Sequence, residues 1–180
     1  MGIFIKLFRT LRRKKILFAT AILLSLTAMF FLFKAVLIIP FIALGAASLM
    51  HTRFTKNYIG LELCIFFTCI SSLCFGPVAG AIVGCTSLLA GLMLSEGVDG
   101  GIIVSLIAIS LIAFISPFFG VERIVLGGVL LTLLYDIVLS FFYFASGSSP
   151  FTMFSFTATH LLTNLLIFST LSSFFISLCY

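Results

Sequence analysis

The sequence predicts an all-α fold, a polytopic transmembrane helix bundle. Three observations carry this. Hydrophobic residues make up 62% of the chain and charged residues 8%, a balance that no soluble core hides from water. Apolar stretches of about 17 residues or more, long enough to cross a hydrocarbon core, recur from end to end. The connectors between them are short and carry helix-stopping residues, as in "SEGVDGG" (95–101), "GVER" (120–123) and "SGSSP" (146–150). Nothing of a second folded domain fits between them. The expected organisation is a basic N-terminus over 1–15 and one transmembrane helical domain over 16–180.

Taken in order, the first element is the charge cluster. The net charge is +5, and six of the ten basic residues (Lys6, Arg9, Arg12, Arg13, Lys14, Lys15) precede the first apolar run. Their position speaks against nucleic-acid binding. It fits a cytoplasmic anchor under the positive-inside rule, in contact with anionic headgroups of the lipid bilayer. A multi-pass protein of the plasma membrane with a cytoplasmic N-terminus is expected. A cleaved signal peptide fits less well, because the apolar run that follows is longer than an h-region.

The candidate spans are 16–39, 58–75, 77–94, 101–119, 124–146 and 157–179. The segment "AVLIIPFIALGAASLM" (35–50) is either a separate span, making seven, or part of a long first connector, leaving six. Six is preferred, because a turn squeezed in around Lys34 is tight for two full helices and Pro40 offers a natural stop. On that reading both termini are cytoplasmic.

The five cysteines are an odd number, contain no C-x-x-C pair and lie in or beside apolar runs. They read as small hydrophobes, suggesting neither a disulfide framework nor a metal site. No metal and no cofactor are expected.

The third span holds a stripe of small residues. Gly76, Gly80 and Gly84 fall four residues apart, and Ser87 and Gly91 continue the stripe. Lipid gives no hydrophobic drive for helix association, so close backbone packing supplies it, and a glycine groove permits that packing. By itself such a stripe means a tight helix pair and names no function.

Polar residues inside apolar spans are costly and usually face protein or water. At a rise of about 1.5 Å per residue, Glu62 lies roughly 6 Å inward from Tyr58 and Asp136 roughly 18 Å along from residue 124. His160 and Asn164 are one turn apart on one face of the last span. Lys34 falls about 27 Å along the first span, near the outer surface. Glu62, Asp136, His160 and Asn164, with Asn57 and Tyr58 at the mouth, are therefore the candidate substrate-binding residues of a pocket open to the outside. The structural alternatives are that Lys34 snorkels, that Glu62 pairs with Lys34 or Arg53, and that His160 and Asn164 bond only across helices. Asp136 resists such a reading, because an unpaired carboxylate at mid-depth is expensive.

The string "IGLELCIFFTCISSLCFGPVAGAIVGCTSLLAG" (59–91), with Gly76-Pro77-Val78-Ala79-Gly80-Ala81-Ile82-Val83-Gly84 at its centre, resembles the substrate-binding S component of energy-coupling-factor (ECF) transporters. Chain length, six spans, a basic N-terminus and a last helix with His and Asn are similar to that family. The resemblance implies a vitamin-like micronutrient substrate, a transmembrane coupling subunit and ABC ATPases as partners. It also implies a docking surface on the first helix, where this chain offers Ala21-x-x-x-Ser25, while an Ala-x-x-x-Ala pair (Ala43, Ala47) lies in the connector. With no tryptophan, any aromatic wall must use Phe or Tyr.

The alternative function is a non-catalytic membrane scaffold subunit of a cell-shape or envelope-assembly complex. An enzyme is not expected. No Gly-x-Ser-x-Gly, His-Glu-x-x-His or nucleotide-binding loop occurs, and His51 is the only histidine besides His160.

Overall fold

A helix that is apolar all round belongs inside a bundle, and a helix apolar on its exterior belongs against lipid. Both kinds occur here. The computed structural model describes residues 20, 22–26, 36–55, 59–95 and 100–179. The chain forms two compact units, Met1–Leu37 and Ile38–Tyr180. In the first unit residues 22–26, including Ser25, are helical, and Ala21 and Lys34 lie outside the described residues.

The second unit is built from helices, with no strand among the described residues. In chain order they are α1 (Val36–Phe54), α2 (Cys64–Phe75), α3 (Pro77–Leu94), α4 (Ile102–Ile115, continued by a 3-10 turn to Phe119), α5 (Ile124–Ala145) and α6 (Pro150–Ser177). All but α2 are long and apolar enough to cross a membrane, which makes this a multi-pass membrane helix bundle.

Three boundaries differ from expectation. Residues 35–50 are not a dipping connector: α1 is a span in its own right, with mean hydropathy 1.6. Pro40 does not stop it, since transmembrane helices absorb a proline through neighbouring groups. The last span starts at Pro150 rather than 157, with the proline in the first helical turn, where its missing N–H costs nothing. The second span starts at Cys64 rather than 58, and residues 59–63 run as non-helical backbone.

At 12 residues α2 is only about 18 Å long. Cys64 to Ser72 are buried without a break, so α2 is the central helix of the unit. The glycine stripe explains how α3 reaches it. A Cβ added at Gly80 would lie 2.8 Å from the Thr68 carbonyl, and one at Gly84 would strike the Thr68 hydroxyl. Farther along α3, Ser87 donates to the Ile42 carbonyl (3.3 Å), and a Cβ on Gly91 would meet Leu49 and the Ala46 carbonyl. So α3 fits between α2 and α1. Gly76 is the exception to the expected packing stripe: it has no heavy atom within 4 Å of its missing Cβ and instead turns the chain at φ +95°.

Below the polar residues the core is aromatic. Phe41 stacks on Phe67 with centroids 4.9 Å apart, and Phe168 meets Phe66 edge-on at 5.1 Å. Phe175 stands edge-on to Phe41, Phe66 and Phe67. Such pairs add about 0.5–1.5 kcal/mol each beyond area burial.

The cysteine expectation is also corrected. Cys74 and Cys179 form a disulfide across a sequence separation of 105 residues, with Cα atoms 5.7 Å apart. Sequence spacing carried no hint of it, because the pairing arises only when the C-terminal ends of α2 and α6 come together at one end of the bundle.

Candidate functional site

Three elements deliver the polar residues. On α6 the buried positions are His160, Asn164, Phe168, Ser172 and Ile176, an unbroken i, i+4 row. On α5 the buried face includes Tyr135 and Asp136. Glu62 comes from the 59–63 segment, which we call the strap, two residues before α2 begins.

Non-helical backbone at depth must find its hydrogen bonds in protein. The strap does so through side chains. The Gly60 amide donates to Thr159 Oγ1 (2.8 Å) and the Leu63 amide to Ser48 Oγ (2.8 Å). The His51 ring bridges the Ser48 carbonyl (2.6 Å) and the Ile59 carbonyl (2.9 Å). Gly60 is seated against the backbone of His160, where a Cβ would lie 2.9 Å from His160 Cα. The strap therefore carries Glu62 deeper than a helix starting at 58 would, to the level of His160.

The result is a carboxylate–imidazole–carboxylate sandwich. His160 Nδ1 lies 2.6 Å from Asp136 Oδ1 and is hydrogen-bonded to it. His160 Nε2 lies 3.1 Å from Glu62 Oε1, at ion-pair distance but without hydrogen-bond alignment. Asn164 Nδ2 donates to the His160 carbonyl at 3.1 Å. Exposure is 5% for Glu62, 1% for Asp136 and zero for His160 and Asn164. Aromatic rings wall the imidazole, Phe156 at 5.2 Å and Tyr135 at 6.1 Å between centroids.

Four of the six candidate binding residues thus converge, while Asn57 and Tyr58 lie outside the described residues. The group is closed to solvent rather than an open outward pocket, because the strap lies over it. Sequence reasoning missed Ser48, His51, Thr159, Tyr135 and Phe156. Thr159 and Phe156 were within reach, being neighbours of His160 on one helix, whereas Ser48 and His51 lay in a segment expected to be a connector.

Buried polar atoms are nearly always satisfied, so exceptions are informative. Glu62 Oε1, Asp136 Oδ2, Asn164 Oδ1 and His160 Nε2 have no hydrogen-bond partner. Both imidazole nitrogens face carboxylates, which leaves neither aimed at a metal, and no metal-ligating group of three occurs among the described residues. The place a serine nucleophile would take on Nε2 is filled by Glu62. The arrangement is suited to holding charge and hydrogen bonds. No family model matches the chain, and neither a curated protein nor a solved structure matches it.

Proposed function

We infer that this chain is the substrate-binding subunit of an importer of the energy-coupling-factor type, taking a small vitamin-like solute at Glu62, Asp136, His160 and Asn164. The observation that carries this reading is the convergence of those residues from the strap, α5 and α6, with two acceptor oxygens left over. Two features of the bundle support it. Gly76-Pro77 opens α3, as the similar passage opens a helix in S components. The helix that opens this unit, α1, carries Ala43 and Ala47, both exposed and one turn apart, as a docking groove for the coupling subunit. That pair takes over the docking role first expected of Ala21 and Ser25. ATP hydrolysis by the partner ATPases then powers release, with the Glu62 end facing outward in the plasma membrane. The test is mass spectrometry of small molecules that copurify with the detergent-extracted chain. A stoichiometric solute lost from Asn164→Ala is the expected result; none from any preparation overturns the reading.

The closure of the cluster favours a second reading, a non-catalytic scaffold in which the sandwich only locks helices together. Recovery of wall-synthesis or cytoskeletal proteins instead of ABC ATPases in a pull-down identifies that case.

A further inference from the structure

The polar cluster also specifies what kind of head group it accepts, and this inference rests on the binding role proposed above. The nitrogen donors are largely committed: His160 Nδ1 to Asp136, and Asn164 Nδ2 to the His160 carbonyl. Glu62 Oε1 and His160 Nε2 face each other at 3.1 Å, so the atoms left over are two acceptor oxygens, Asp136 Oδ2 and Asn164 Oδ1. A solute that completes this site must therefore donate.

Charge points the same way. With both carboxylates ionised, an imidazolium brings the sum to −1 and a neutral imidazole leaves −2. Both ion pairs among the described residues centre on His160, and neither involves a lysine or arginine. A ligand carboxylate would add a further buried negative charge, whose desolvation is costly without a partner. A monocation lowers the net charge in either protonation state.

We propose that the Glu62–His160–Asp136–Asn164 cluster recognises a small solute through a cationic, N–H-bearing nitrogen head, of the amine or amidine class, and selects against carboxylate-headed solutes. The head binds Asp136 Oδ2 and Asn164 Oδ1, the oxygens that His160 leaves unused, and access requires the strap to lift.

The test uses the full chain in lipid nanodiscs with two probes of one size and opposite charge, benzamidine and benzoate. Benzamidine is expected to raise Tm saturably, by about 5 °C at high occupancy, and benzoate to leave it unchanged. Asp136→Asn should abolish the benzamidine shift. Should that variant fail to fold, Asn164→Asp adds a charge beside the same oxygens and should tighten benzamidine about tenfold. Stabilisation by benzoate alone overturns the ligand class while keeping the binding role. An equal benzamidine shift in wild type and both variants places the probe elsewhere and overturns the assignment. No shift with either probe overturns both the ligand class and the binding role.

Discussion

Gly60 and His160 touch backbone to backbone: a Cβ built on Gly60 would stand 2.9 Å from His160 Cα and 3.0 Å from His160 N. These two residues are 100 positions apart in sequence, yet their contact sets the depth of the strap and so of Glu62. Gly60→Ala is predicted to push the strap off α6, separate Glu62 from His160 and cost about 1–3 kcal/mol. Thermal unfolding in detergent should show this loss together with weakened ligand retention. A variant of wild-type stability would mean the strap is not seated on α6.

The sandwich itself should behave as a coupled unit. Removing one member of a buried charge pair leaves the other uncompensated, at a cost of about 3–5 kcal/mol. His160→Ala strips a partner from both Glu62 and Asp136, so it should destabilise more than Glu62→Gln, which keeps shape and removes one charge. A double-mutant cycle between Glu62→Gln and His160→Ala should return a coupling energy of about 1–3 kcal/mol. Additive effects would show that the 3.1 Å approach carries no energy.

The polar residues of the site were legible in the sequence because a charge within an apolar run stands out; hydropathy placed Glu62, Asp136, His160 and Asn164 at depth without any coordinates. Their pairing was not legible. Which ring nitrogen meets which carboxylate depends on how α5 and α6 cross and on where the strap breaks the helix, and neither leaves a periodic signal. Helix α1 was misread because Pro40 is a strong stop signal in water and a weak one in a membrane. Likewise Gly127 and Gly128 lack the four-residue spacing that marks the stripe on α3, although Gly127 seats Phe119 and Gly128 seats Phe168.

Glycines of the stripe should differ sharply from one another. Gly80→Val forces a side chain into Ser72 and the Thr68 carbonyl, where the central helix cannot yield, and is predicted to cost about 3 kcal/mol or more, or to prevent folding. Gly76→Ala meets open space and pays only for a backbone conformation, φ +95° with ψ 161°, that is almost confined to glycine, about 1–3 kcal/mol. Comparing expression and Tm of the two variants separates packing from turn geometry. Equal losses would place Gly76 back in the packing stripe.

The Cys74–Cys179 disulfide makes a demand on orientation that the importer reading must meet. Helices α2 and α6 both run from the Glu62 end of the bundle to the cysteine end, so an outward-facing Glu62 puts the disulfide at the cytoplasmic end. Disulfides persist mainly in oxidising compartments and are rare in the cytosol, hyperthermophiles excepted. Opening the bridge frees two helix ends tied across 105 residues, and the cost is predicted at about 2–4 kcal/mol. Cys74→Ser should therefore lower Tm, and reductant should lower wild type to the same value. Orientation is then read from paired C-terminal fusions, one reporter active only in the cytoplasm and one only outside. Signal from the cytoplasmic reporter agrees with a site that loads from outside. Signal from the external one would put the disulfide where disulfides normally survive and turn the Glu62 end inward, which removes uptake as the role of the cluster while leaving its chemistry intact.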